Sequence, residues 1–204
     1  MDKTIEYFVI PASPYAYLGH ERFVALAKRH GAKVDLKPFD LGGKVFPVSG
    51  GLPLPKRAPQ RQAYRLVELN RWSRTLGVPL NPTPKYFPVA ADDAALMVVT
   101  ALRQYGSDAA LKLVGAQQRA VWAEERNIAD ADTLRAIADA CGLDGTRLYA
   151  EREGARADYE AFTQEAIDRG VFGAPWYVYR GEPFWGQDRL DLLDQALAAA
   201  LAAA

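Results

Sequence analysis

"GVFGAPWYVYRGEPFWGQDRL", residues 170–190, is the stretch whose reading decides the fold. Two short runs of aromatic and β-branched residues, 176–179 and 183–185, flank Arg-Gly-Glu. Such runs favour strands, and a short glycine-bearing link joins them as a hairpin. Behind them "WGQDRL" opens a final helix from about Gln187, which continues through the alanine-rich tail "LDQALAAALAAA". The chain therefore closes on strand, strand, helix.

The beginning of the chain supplies the other half. "TIEYFVI", residues 4–10, reads as a strand that stops at Pro11, which cannot donate to a ladder. Residues 15–30 carry Tyr17, Leu18, Phe23, Leu26 and Ala27 at near-helical spacing, and Gly31 supplies a stop. "AKVDLKPFDL" alternates Val34, Leu36 and Phe39 with polar residues, with one slip at Pro38, and reads as a second strand. Strand-helix-strand and strand-strand-helix together make a four-stranded mixed sheet with helices on its faces.

Between the halves the composition shifts. Residues 42–59, "GGKVFPVSGGLPLPKRAP", are dense in Gly and Pro and read as an irregular loop, of a length that is usually functional or marks a boundary. Helical patterns then run to about residue 169, beginning with Tyr64, Val67, Leu69, Trp72 and Leu76. The expected division is 1–41 with 155–204 as the sheet domain and 42–154 as an inserted helical domain.

Half of the 204 residues are hydrophobic and a quarter charged, with 25 basic against 25 acidic side chains. A neutral balance argues against nucleic acid as the main partner, and the one basic stretch, "PKRAPQRQAYR", reads as a solvated helix start. The single cysteine, Cys141, excludes an internal disulfide and fits a reducing compartment. No signal peptide and no apolar run of membrane-spanning length is read, so no membrane partner is expected and the cytoplasm is the expected location. His20 and His30 fit surface or capping roles, Cys141 a small buried residue, and no metal-ligand spacing is present.

Three stretches, taken in order, carry a resemblance over nearly the whole chain: "SPYAYLG", "NRWSRTLGVPL" and the residues quoted first. Together they resemble the 2-hydroxychromene-2-carboxylate isomerases, relatives of the kappa-class glutathione transferases within the DsbA-like group. The resemblance implies an α/β thioredoxin fold with a helical insertion. It also implies a glutathione-dependent isomerase acting on a small aromatic substrate from aromatic degradation, with a homodimer common among relatives. The alternatives are a kappa-like glutathione transferase or peroxidase, and a non-catalytic thioredoxin-fold binding protein.

The site residues implied are few. Disulfide-exchanging relatives carry Cys-x-x-Cys where this chain has Ser13-Pro14-Tyr15-Ala16, so a borrowed thiol fills the vacancy and Ser13 activates it. By its residue type alone Ser13 reads as a helix cap; the resemblance is what favours the thiol-activating role. Pro175 is expected cis, with the backbone of Ala174 pairing the cysteinyl part of glutathione. Gln187 and Asp188 are expected at its γ-glutamyl end, although Asp188 can also pair with Arg189. Lys56, Tyr15 and Trp185 are the substrate-side residues, with Lys56 and Arg57 as sources of positive charge. Trp72, Trp122 and Trp176 read as core. One departure stands out: relatives often carry Gly-Asn in the 42–59 loop, and Gly50 replaces the asparagine here.

Overall fold

A computed structural model describes residues 3–202. Met1, Asp2 and the last two residues of the tail lie outside the described residues. Strand β1 (Thr4–Val9) leads to helix α1 (Pro14–Arg29) and returns as β2 (Lys33–Pro38), parallel to β1 with Thr4 opposite Lys33. A parallel pair needs a crossover, and α1 supplies it. Strands β3 (Trp176–Tyr179) and β4 (Glu182–Trp185) complete a sheet in the order β2-β1-β3-β4, with β3 antiparallel to both neighbours. This is the expected four-stranded mixed sheet.

The hairpin is tighter than the sequence suggests. Glu182 pairs with Tyr179, so only Arg180 and Gly181 form the turn, both at positive φ (52° and 82°). Two consecutive left-handed residues match the right-handed twist of the flanking strands.

Alternation along the strands builds two cores. Ile5, Tyr7 and Val9 of β1 and Tyr177 and Tyr179 of β3 face one side. Phe8, Trp176 and Val178 face the other, packed with Phe39 and with Ala166 of α8 (Arg156–Asp168). The first core does not stop at the expected domain boundary. Leu69 of α3 (Pro59–Leu76), Met97 of α4 (Asp92–Tyr105) and Trp122 of α5 (Ser107–Trp122) share it with the sheet. So do Leu193 and Leu197 of the final helix, which starts as a 3-10 turn at Gln187–Arg189 before becoming α-helical over Leu190–Ala202.

Two expectations are corrected. Residues 42–59 are not irregular throughout: a π-helical turn (Leu41–Val45), one α-turn (α2, Phe46–Ser49) and a 3-10 turn (Leu54–Lys56) follow one another, with residues 50–53 and 57–58 outside regular elements. Asp40 caps the first by accepting the Gly43 N–H at 2.6 Å, and buried Leu41 and Val45 anchor it to the second core. His20 is not on the surface. It is 3% exposed, with its ring beside Gly115 of α5, where a Cβ would collide with it. Burial lowers its pKa and keeps it neutral. His30 does cap α1 and hydrogen-bonds Asp194.

Burial is also the first cause raising the phenol pKa values of Tyr7, Tyr159 and Tyr177. Unfolded tyrosines release their protons near 10, while these keep theirs in the fold. The folded state therefore binds more protons above that pH, and stability falls as pH rises. The slope is roughly 1.4 kcal/mol per pH unit per tyrosine. Urea unfolding at pH 9, 10 and 11 should show this loss, and Tyr7→Phe with Tyr177→Phe should make it shallower. A flat profile would contradict the assignment.

Candidate active site

Ser13 ends the turn after β1 in an extended conformation (φ −82°, ψ 122°) and caps α1. Its Oγ accepts the Ala16 N–H at 3.1 Å and donates to the Ala174 carbonyl at 3.3 Å. The residue is only 4% exposed. Pro14 has no N–H, and helix geometry leaves the Tyr15 N–H without an intrahelical partner. The first turn of α1 thus presents partial positive charge at the hydroxyl. Ser13 is a cap, and it also faces the turn that precedes β3.

That turn is built from both ends of the hairpin. The Ala174–Pro175 peptide is cis. The Pro175 carbonyl accepts the Gly186 N–H at 3.0 Å, so residues 186–189 lie beside 174 and 175. Two glycines allow this closeness. Gly173 stands where a Cβ would strike the Trp185 indole, and Gly186, at φ 107°, where one would strike the Asp188 carboxylate. A third, Gly19 on α1, faces Gln187. Gln187 is 2% exposed, and its Oε1 accepts from Arg22 Nη1 at 3.0 Å. In the 3-10 turn the Arg189 N–H bonds the Gly186 carbonyl, which leaves the Gln187 and Asp188 N–H groups at the turn's open end. Asp188 also pairs with Arg189 at 3.4 Å.

Ser13, Gly173, Ala174 and the 186–189 turn border one cavity of about 600 Å³, within the roughly 300–1,000 Å³ typical of small-molecule sites. One wall is Phe172, Gly173, Ala174, Trp185 and the 186–189 turn; the other is Tyr15, Phe87 and a stripe of α3, with Ser13 among the lining. The stripe runs Arg61, Tyr64, Arg65, Glu68, Trp72, at helical spacing. Four arginines (57, 61, 65, 189) face two acids (Glu68, Asp188), a donor set suited to an anion that also carries an ammonium group. Glutathione, with two carboxylates, one ammonium and an ionisable thiol, fits that volume, and the 186–189 turn with Asp188 offers groups for one carboxylate and the ammonium.

The structure brings Ser13, Tyr15, Ala174, Trp185, Gln187 and Asp188 to this cavity. Pro175 is not part of the lining; it stands behind Ala174. Lys56 is exposed and outside the lining, whereas its neighbours Leu54 and Arg57 line the wall. In a 3-10 turn, residues three apart share a side, which turns Lys56 away. Gly50 is outside the lining too, at φ 75° with open space around it. That left-handed conformation is one that glycine and asparagine both tolerate. Trp72 moves from core to cavity wall, while Trp122 and Trp176 are buried. The sequence reading missed the arginine stripe, taking "PKRAPQRQAYR" as solvated.

No thiol of the chain reaches the cavity. Cys141 is 8% exposed at the end of α6 (Ala131–Ala140), and burial raises its pKa. Among the described residues, no group of three or more His, Cys, Asp or Glu is placed to hold a metal, and no helix is long and apolar enough to cross a membrane.

Comparison with known proteins agrees with this architecture. Residues 4–198 match the family model of the DSBA-like thioredoxin domain. A 2-hydroxychromene-2-carboxylate isomerase of Sphingobium xenophagum is 29% identical over 199 residues, covering 97% of this chain and 99% of the relative. Glutathione S-transferase kappa 1 of Caenorhabditis elegans is 23% identical, covering 95% and 90%. A solved 2-hydroxychromene-2-carboxylate isomerase superposes with a TM-score of 0.83 at 24% identity, covering 97% of this chain and 96% of that one.

Proposed function

Because the chain belongs to the DsbA-like thioredoxin family, we propose that its cavity binds glutathione and catalyses a glutathione-dependent isomerisation of the 2-hydroxychromene-2-carboxylate type. The observation that carries this reading is a hydroxyl, Ser13, at the helix start of a cavity whose chain offers no thiol of its own. The isomerase names of the similar proteins support the reaction class. When bound, glutathione supplies a thiolate that can add reversibly to a conjugated carbon, so that a double bond becomes single, rotates and re-forms.

The chain's part is to hold and ionise that thiol. A free thiol titrates near about 8.5, so only a few per cent is ionised at neutral pH; lowering this by two units is worth roughly 2.7 kcal/mol. The Ser13 hydroxyl donates to the anion. Its present bond to Ala174 is long for O–H···O, so its proton is redirected at little cost. The α1 terminus adds its partial charge. The backbone of Ala174 pairs the cysteinyl part as an added strand would. The open N–H groups of Gln187 and Asp188 take the γ-glutamyl carboxylate, and the Asp188 carboxylate takes the ammonium. Tyr15 and Trp185 give the aromatic ring an apolar slot. A cytoplasmic location, where glutathione stays reduced, fits this use.

The kappa transferase relative favours a second reading, in which the same thiolate attacks another electrophile. Calorimetric titration with glutathione tests the cofactor, and Asp188→Asn should weaken its binding about tenfold. Absorbance assays separate the two chemistries. Rapid glutathione-dependent equilibration of 2-hydroxychromene-2-carboxylate with its open-chain benzylidenepyruvate supports the isomerase. Halide displacement without that equilibration supports the transferase. No heat of glutathione binding would leave only a thioredoxin-fold binding protein.

A further inference from the structure

We propose that Arg65 is the carboxylate anchor of the cavity and binds the acid group of an aromatic substrate; this rests on the isomerase reading and deepens it. Arg65 lies on α3, 9% exposed, and lines the cavity. A guanidinium so deeply placed normally carries a carboxylate partner, because an unpaired buried charge is costly. Among the described residues Arg65 forms no ion pair. Its guanidinium stands against ring faces, Phe87 at 5.2 Å and Trp122 at 5.5 Å from their centroids.

The obvious internal partner is taken. Glu68 lies one turn further along α3, but one of its oxygens binds Arg71 and the other accepts the Trp72 indole N–H at 3.2 Å. The other charged residues of this wall, Arg57 and Arg61, are also cationic; Arg57 repels Arg65, and burial is the first cause lowering the Arg65 pKa. The side chain is therefore a charge held ready inside the protein, with its complement left to come from a ligand.

Glutathione also carries carboxylates, so the source must be chosen. The surroundings of Arg65 favour the aromatic acid. Phe87 and Trp122 pack against each other, centroids 4.6 Å apart, and together back one side of the guanidinium, while Phe87, Tyr15 and Trp72 line the cavity. The backbone donors suited to glutathione belong to other elements than α3, at Ala174 and the 186–189 turn. A planar fork among ring faces suits a carboxylate conjugated to an arene, bound bidentately while the ring stacks beside it.

Binding of unreactive probes tests this without turnover. Cinnamate and cinnamamide share a ring and a side chain but differ in charge. Their affinities, and that of glutathione, are read by calorimetry and by tryptophan emission. The wild-type protein should prefer cinnamate by roughly ten- to hundred-fold. Arg65→Met should erase the preference while leaving cinnamamide and glutathione affinity within about twofold, the unchanged cinnamamide binding showing that the cavity is still formed. Arg65→Lys should keep part of the preference, and Arg61→Gln nearly all of it. A wild-type protein without preference overturns the proposal, as does a preference that survives Arg65→Met. Loss of glutathione affinity with cinnamate binding intact also overturns it, assigning Arg65 to the tripeptide. If glutathione fails to bind the wild-type protein while an Arg65-dependent preference for cinnamate remains, the cofactor reading falls and the anchor stands.

Discussion

Ser13→Ala should cut glutathione-dependent turnover at neutral pH by roughly ten- to hundred-fold, the loss of one charge-assisted hydrogen bond to the thiolate. The pH–rate profile should move to higher pH, since the bound thiol then ionises later. Alanine also removes the cap on the Ala16 N–H, at a cost of about 0.5–2 kcal/mol in stability. The two roles of the hydroxyl are therefore entangled in this variant, and Ser13→Asp separates them. Aspartate caps as well as serine, so the melting temperature should hold. Its carboxylate, however, has no proton to give and repels an anion at the same spot, so turnover should fall further than in the alanine variant. An active Ser13→Asp protein would show that residue 13 serves the helix alone.

Gly19→Val should lower unfolding free energy by about 1–3 kcal/mol and weaken glutathione binding at least tenfold. Glycine inside a helix costs roughly 0.5–1 kcal/mol relative to alanine, so its presence in mid-α1 needs a packing reason. A Cβ at residue 19 would lie 2.6 Å from the Gln187 Cβ and 3.3 Å from its Cα. Those atoms belong to the root of the side chain and to the backbone, and no rotamer change removes them. Either α1 or the 186–189 turn must move, and that turn carries the N–H groups assigned to the γ-glutamyl end. Gly19→Ala should show the same pattern in smaller measure. Gly154→Ala, with nothing within 4 Å, serves as the neutral control. Full stability and full affinity in Gly19→Val would contradict the close approach.

The elements that were legible from sequence are those whose signal is local. Runs such as 176–179 and 183–185 declare strands by composition, and Gly31 and Gly77 punctuate helices. Ser13 was legible as a cap for the same reason. The 42–59 segment was not, because its Gly and Pro residues conceal helical turns whose anchors, Leu41 and Val45, matter only once the second core exists. His20 was misplaced because its niche is made by Gly115, on a helix far along the chain. The arginines of α3 carried a periodic signal with Tyr64, Glu68 and Trp72, yet a charged stripe looks the same whether it meets solvent or a cavity. Only the packing of Phe87 and Trp122 against Arg65 tells the two apart.

Helix α3 buries two of its eighteen residues, Arg65 and Leu69. Most of its side chains can therefore be exchanged without disturbing the packing that holds the sheet. The opposite wall, pinned by glycines and by the hairpin, has no such latitude. On the proposed function, natural variation in the acids bound should accumulate along this one helix, and a library randomised at the exposed positions 61 and 64 offers a direct route to new selectivities in a scaffold that still folds.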